Sequence, residues 1–539
     1  MIAVLAEEGQ RRAVKEFFEL FKTPWEFFHN QSKCSVLICA ANQVPANSAS
    51  LVVLCGSQEN SFDRAHGLQI RSRHSGATVL LGENRIPIYG GCLAFGASEA
   101  GLAVHESTRE PVVVTVASDG KVIVRVGFDL FQEIEYLLTR GQPPANAAIP
   151  TLELQIALLR GIIVGHSIPL IEIPPVPDGR NFIACLTHDM DHIGIRNHKF
   201  DHTILGFLYR ATAGSVMDLC CGKKTWRQAA INWFAVLKLP LVHFGLARDF
   251  WSQSDRYLEI ERGLNSTFFV IPKRGEPGLD AKGNRPYRRA ASYDAADHLQ
   301  LFSEFKSAGD EIGLHGIDAW RDSAAGRQEQ EIICRLTGVT ETGVRMHWLY
   351  FDEKSPEVLE AAGFNYDSTV GYNQTIGYRA GTAQVFKPVT TEKLLELPMH
   401  VMDTALFYPN YLNLTPARAE EAIRPLIANA SRFGGALTVN WHDRSVAPER
   451  LWDTFYAQLI EQLRIAGACF LTAGRAVSWF RKRRSIVFEQ NGDVVKIRVP
   501  GGCDPNLPGL RIRTYSSNAK DESYSDTPLT DGSEIRLAA

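Results

Sequence analysis

The sequence predicts an α/β protein whose middle is a βα barrel or sheet of buried parallel strands. Two observations carry this. From Asn181 onward, short and nearly all-apolar runs (FIACLT, STFFVI, DEIGLH, GVRMHW, FNYDST, LELPM, ALTVNWH, CFLTA) alternate with longer helix-like stretches. Parallel strands buried on both faces and joined by helices read this way. Most of these runs also end in a polar or charged residue, and in such folds the chemistry gathers at the carboxyl ends of strands.

Composition narrows the function classes. At ~150 residues per domain, 539 residues predict about three or four domains. The 57 Lys and Arg nearly balance 60 Asp and Glu, which argues against a nucleic-acid partner held by a global basic field. Hydrophobic residues at 45% and charged residues at 22% are ordinary globular usage and exclude wholesale disorder. No apolar run reaches the ~18 residues of a transmembrane helix. The N-terminus has no basic lead, full apolar core or cleavage site, so no signal peptide is expected. Of ten cysteines, Cys34, Cys39, Cys55, Cys185, Cys334 and Cys469 sit in apolar runs, and no CxxC occurs. Buried free thiols and a reducing, cytoplasmic setting are expected.

Taken in order, residues 1–168 read as an N-terminal α/β accessory domain. Strand-like runs (SVLICA, SLVVLCG, ATVLLG, PVVVTVA, KVIVRVG) accompany helices at RRAVKEFFELF, at GFDLFQEIEYLLTRG ending near Gly141, and at TLELQIALLRGIIV. No activity is assigned to it. Cys92, in IYGGCLAFG, has no evident His and acid partners and is read as a packing residue. The joint IPLIEIPPVPDGR reads as an extended linker, because its prolines cannot continue a helix. The barrel spans 181–484 with an insert at about 193–265. That insert is aromatic and apolar, which points to core packing or a domain interface, with docking on a membrane surface as the other reading. Pro240 is expected to break any long helix there. The run Arg481 to Arg484 reads as a solvated helix end. Residues 485–539 read as a small β unit, with a hairpin at Asn491-Gly492.

Four strand ends carry the chemistry. In LTHDMDH, Asp189 and Asp191 follow an apolar strand at spacing two. If the strand persists, both carboxylates share one face, where two acids share a proton or bind a cation. His188 and His192 flank them. His315 ends a second strand, Arg345 and His347 lie at spacing two on a third, and His442 ends a fourth. A metal-assisted hydrolase needs such a set: imidazole and carboxylate ligands, an open position for water, and an acid and a base nearby.

The series THDMD, STFFV, EIGLH, GVRMHW, a returning strand with Pro398, and NWHD resembles the NodB-type polysaccharide deacetylases, carbohydrate esterase family four. More closely, it is similar to a branch whose first motif reads THDVD. The resemblance covers about 181–480 and implies a distorted (β/α) barrel with a metal in a groove at its mouth. It implies a catalytic base at Asp189 and a metal-binding carboxylate at Asp191. Met190 separates two acids that the family usually places side by side, so the two roles can be exchanged, or both acids can touch the metal.

His315 matches the first His of the HxxxH motif, but position 319 is Ala. His347, standing where the family's RxPW motif has proline, is the candidate to complete the ligand set; Asp318 and His192 are the fallbacks. Arg345 matches the Arg that orients the base, and His442 matches the general acid. Asp403 is placed to orient His442, with Asp443 as the substitute. Arg379 and Trp348 are the candidate substrate contacts.

The activity implied is removal of an N-acyl group from an amino sugar or glycan with a divalent metal, zinc first among the candidates. The rival is a carbohydrate-binding or scaffolding protein on the same fold, its metal lost with the missing His. A third reading is a C–N hydrolase for a non-sugar amide. The sequence leaves the oligomeric state open.

Overall fold

The computed structural model describes residues 1–30, 32–41, 44–96, 101–118, 120–492, 494–501, 504–515 and 523–536. The chain divides into two compact units. One comprises Met1–Gly179, Tyr378–Val389 and Ser478–Ala539; the other comprises Arg180–Gly377 and Thr390–Val477.

The first unit is built on a nine-stranded sheet. Its order is Trp25–Phe27, Ile2–Leu5, Val36–Cys39, Leu51–Cys55, Lys121–Val126, Pro111–Ser118, Ala103–His105, Ile70–Leu81 and Asn84–Phe95. The first five strands run parallel and the rest antiparallel. The expected helices form at Arg11–Phe21, Leu130–Thr139 and Thr151–Gly165. The second stops as Gly141 turns into the left-handed region at φ 72°. Cys92 is buried in its strand as a free thiol.

The C-terminal segment expected to stand alone is drawn into this unit. Arg511–Tyr515 pairs antiparallel with Leu170–Glu172, a short strand inside the proline-rich joint. Three residues of the joint are therefore strand, since pairing satisfies backbone groups that an open edge leaves bare. The expected hairpin forms between Val487–Asn491 and Val494–Arg498, and Glu534–Arg536 joins it.

The basic run is not solvated as expected. Arg483 is fully buried and donates to the carbonyls of Ile173, Glu19 and Leu20. Arg484 pairs with Glu16 at 2.7 Å. A guanidinium with several fixed acceptors offsets its desolvation, so charge alone did not keep these residues in water.

The second unit is the distorted (β/α) barrel that the sequence predicts. Its strands are β1 (Phe182–Met190), β2 (Thr267–Val270), β3 (Glu311–Gly316), β4 (Val344–Met346), β5 (Tyr366–Asp367), β6 (Leu395–Glu396), β7 (Val401–Met402), β8 (Ala436–Asn440) and β9 (Ala468–Phe470). The order is β6-β5-β4-β3-β2-β1-β8-β7, with β9 also paired to β1. All ladders are parallel, so the carboxyl ends of the strands gather on one side. The sheet is open between β6 and β7.

Apolar side chains such as Phe268, Val270, Leu314, Val344 and Met346 pack beneath helices Leu299–Ala308, Ser323–Thr337 and Ser355–Ala362. Close approach is demanded at Gly316, where a Cβ would meet Met346 Sδ at 2.7 Å. Cys185 is buried, but Cys334 and Cys469 are only partly so; among the described residues the cysteines are free thiols.

The insert is helical: α1 (His202–Tyr209), α2 (Ser215–Cys220), α3 (Trp226–His243) and α4 (Ser254–Ile260). Pro240 does not end α3, because only its last turn loses a backbone donor. One side of the insert packs through Ile204, Phe207, Ala235, Val242 and Trp251. The rest of its apolar surface is not core as expected: Phe234, Leu237, Leu241 and Phe244 form an exposed stripe at helical spacing. No helix of the described residues is long and apolar enough to cross a membrane.

Candidate metal centre

Strand alternation builds the site. β1 stays extended through Met190, so Asp189 and Asp191 face the same way while His188 and Met190 face the other. His188 accordingly leaves the site and bonds Glu261 and the Trp441 carbonyl. β3 delivers His315. The third strand is shorter than expected and ends at Met346, so His347 opens a tight turn instead. Trp348 and Leu349 in that turn hold φ of 63° and 52°. That conformation is costly for such residues, and it turns the His347 ring toward β1.

Asp191, His315 and His347 meet. Each offers one ligand atom, and these atoms lie within 4.8 Å of one another. Asp191 Oδ1 is 3.4 Å from His315 Nε2 and 3.2 Å from His347 Nδ1. His315 Nδ1 donates to the Arg345 carbonyl at 2.9 Å, which leaves the Nε2 lone pair for a cation. Asp191 Oδ1 and His347 Nδ1 are buried and have no hydrogen bond. Burial pushes the His347 pKa down to about 4 against the pull of Asp191, so its ring is neutral and able to ligate. Burial tends to raise the Asp191 pKa, but His347, His315 and His442 hold it well below the usual carboxylate range. One carboxylate and two imidazoles, with two of the three ligand atoms buried and unbonded, fit a divalent metal.

Asp189 lies beside this trio under different constraints. Its Oδ1 accepts from Arg345 Nη1 at 3.1 Å and its Oδ2 from Asn440 Nδ2 at 2.8 Å. Arg345 is fully buried and also bonds Thr187 Oγ1, the Ser368 carbonyl and Ser368 Oγ. Burial favours the neutral acid, yet His315, Arg345 and His442 lower the Asp189 pKa.

His442 Nδ1 pairs with Asp403 Oδ1 at 2.6 Å, and Asp403 Oδ2 accepts from the His442 backbone N–H at 2.7 Å. Ser445 Oγ donates to the same carboxylate. His442 Nε2 is left facing Asp191 Oδ2 at 4.0 Å. Burial acts to lower the His442 pKa, but Asp403, Asp191 and Asp189 together raise it to about 10.

The structure thus brings Asp189, Asp191, His315, His347 and His442 into one cleft of about 480 Å³, with Trp348 at its wall, while buried Arg345 and Asp403 pair with Asp189 and His442. Arg379 is not among the cleft's lining residues; it belongs to the Tyr378–Val389 segment of the first unit, where its carbonyl accepts from the Gln142 N–H. The fallbacks are occupied elsewhere. Asp318 accepts from the Leu279 N–H, and His192 Nδ1 bonds His198 Nε2. Asp443 accepts from the His192 and Ile193 N–H groups rather than orienting His442.

Sequence reasoning missed Asn440. It lies two residues before His442 on β8, and that parity was the available signal. It also missed Tyr408, Arg210, Arg444 and Arg450, which line the same cleft.

No family model matches the chain, and no curated protein matches it. Among solved structures, one carrying the name polysaccharide deacetylase from Mycobacterium smegmatis is 20% identical, covers 57% of this chain and 95% of its own, and has a TM-score of 0.35. One so named from Pseudomonas aeruginosa PAO1 is 13% identical, covers 57% and 94%, and has a TM-score of 0.36. The Puue allantoinase is 14% identical, covers 56% and 91%, and has a TM-score of 0.35.

Proposed function

We propose that this cleft belongs to a metal-dependent amide hydrolase that removes an N-acyl group, acetyl in the simplest case, from an amino sugar or glycan. The observation that carries the reading is the trio Asp191, His315 and His347, with two donor atoms buried and unbonded. When bound there, a divalent ion, zinc first among the candidates, supplies Lewis-acid polarisation of the amide carbonyl and acidifies water.

The chain's own groups do the rest. Asp189, ionised and fixed by Arg345 and Asn440, takes the proton of the attacking water. His442 donates from Nε2 to the leaving amine, its other nitrogen held by Asp403. Trp348, Tyr350 and Tyr411 give the cleft aromatic faces against which a sugar ring can lie. The binding-only alternative has less support, because His347 offers a third ligand atom beside Asp191 and His315 although position 319 is Ala. The free thiols suit a reducing compartment, so the proposed setting is cytoplasmic.

The test is acetate release from N-acetylglucosamine oligomers by zinc-loaded protein, with the metal content measured alongside. Asp189→Asn is expected to abolish turnover and keep the ion; His315→Ala is expected to lose both. Full turnover in His315→Ala, or wild-type protein that takes up no divalent ion, overturns the assignment.

A further inference from the structure

We infer that Arg210, Arg444 and Arg450, gathered about the Tyr408 hydroxyl, form a phosphate subsite, and that the substrate of this cleft carries a phosphate group. The inference rests on the hydrolase reading only in taking the cleft as the substrate's place. Arg450 is 6% exposed and donates to Tyr408 at 2.5 Å and to Ser445 at 3.3 Å. Arg444 reaches the same hydroxyl at 3.4 Å and lies over the Trp251 ring. The Arg210 side chain, from the position after α1, makes no hydrogen bond or ion pair among the described residues, and the Nε atoms of Arg210 and Arg450 are buried without partners.

The nearby carboxylates are mostly bonded to other groups. Glu449 accepts from the Trp251 indole through Oε2, while its Oε1 is buried without a partner and its charge attracts Arg210 and Arg444; Asp443 accepts from three backbone N–H groups, and Asp403 from His442 and Ser445. None of them forms an ion pair with the three arginines among the described residues. Burial and the two neighbouring guanidiniums push the Arg210 pKa down to about 10. A cluster of like charges with one member buried and two half-buried is costly until an anion joins it.

Phosphate suits the vacancy in charge better than a carboxylate. It brings up to two charges and several oxygens to three guanidinium forks, which pair with it bidentately. Tyr408 accepts from two arginines, which leaves its own O–H to donate to a ligand oxygen. All four side chains line the cleft that holds Asp191, His315 and His347.

The phosphate could sit on a soluble sugar or on a lipid headgroup. Leu205 and Tyr209 of α1, with Phe234 and Leu237 of α3, are exposed apolar groups on the insert that supplies Arg210, so both sources are tested.

Calorimetry on the full zinc-loaded chain reads binding without turnover, so failed hydrolysis leaves the test standing. N-acetylglucosamine 1-phosphate is expected to bind at least roughly tenfold tighter than N-acetylglucosamine. Arg450→Met and Arg210→Met should each erase that margin, Arg450→Lys should restore part of it, and all three should keep affinity for the neutral sugar. Co-sedimentation with phosphatidylcholine vesicles, with and without phosphatidic acid, assigns the source. Arginine-dependent capture by the acidic vesicles places the phosphate on a lipid; binding of the sugar phosphate alone places it on a soluble sugar. No preference for the phosphorylated sugar, equal preference in the Met variants, or tighter binding of N-acetylmuramic acid (a carboxylate sugar) overturns the inference.

Discussion

Asp191 Oδ1 and His347 Nδ1 stand 3.2 Å apart in the cleft, both buried and both without a hydrogen bond. Two polar atoms left this way are costly unless a cation lies between them. A third ligand, His315 Nε2, is 3.4 Å from the same oxygen.

Zinc binding is therefore expected to stabilise the fold. At a free concentration 100 times its dissociation constant it adds about 2.7 kcal/mol, read as a rise in melting temperature that a chelator reverses. His347→Ala should weaken the metal by more than the roughly 10–100-fold typical of outer hydrogen-bond partners. Unchanged zinc affinity in His347→Ala would reject this ligand set.

Removal of the Arg345 guanidinium leaves Asp189 buried with one partner fewer. Arg345→Met is expected to destabilise by about 3–5 kcal/mol, as breaking a buried pair does. Asn440→Ala removes a single hydrogen bond to a charged acceptor and should cost about 1.5–3 kcal/mol. Denaturant unfolding ranks the two, and turnover should fall in both. A larger loss in Asn440→Ala than in Arg345→Met would reverse the assigned order.

The Asp403–His442 pair should matter for rate and not for metal. His442→Ala is expected to lower kcat by roughly 10²–10⁴-fold while zinc content stays at the wild-type level. Asp403→Asn should fall in the same range, because the ring loses the partner that holds its orientation. Metal analysis beside single-turnover kinetics checks both; loss of zinc in either variant would make the pair part of the metal site.

Glu153 sets a pH dependence of stability in the first unit. Its Oε1 accepts from Thr382 and Ala383 while Oε2 is buried without a partner. Burial raises its pKa from 4.5 to about 7. The folded state thus holds the proton more tightly than the unfolded chain. Its contribution is complete below pH 4.5 and is lost as pH rises through about 7. The difference amounts to ~3 kcal/mol. Urea unfolding at stepped pH should show that decline in the wild type and a flatter profile in Glu153→Gln. Equal slopes would remove Glu153 as its source.

The sequence by itself pointed to a unit of buried parallel strands, to a shared face for Asp189 and Asp191, and to Asp191, His315 and His347 as candidate ligands. These were legible because strand alternation is a local, two-residue rule, and because each apolar run marks where its strand ends. The tertiary structure alone decided what depends on which distant surfaces meet. It paired Asn440 with Asp189, buried Arg483 among carbonyls, and gathered Arg210, Arg444 and Arg450 at Tyr408. A charged side chain carries no mark of whether water or a carbonyl will receive it, and only the packed neighbours supply that partner.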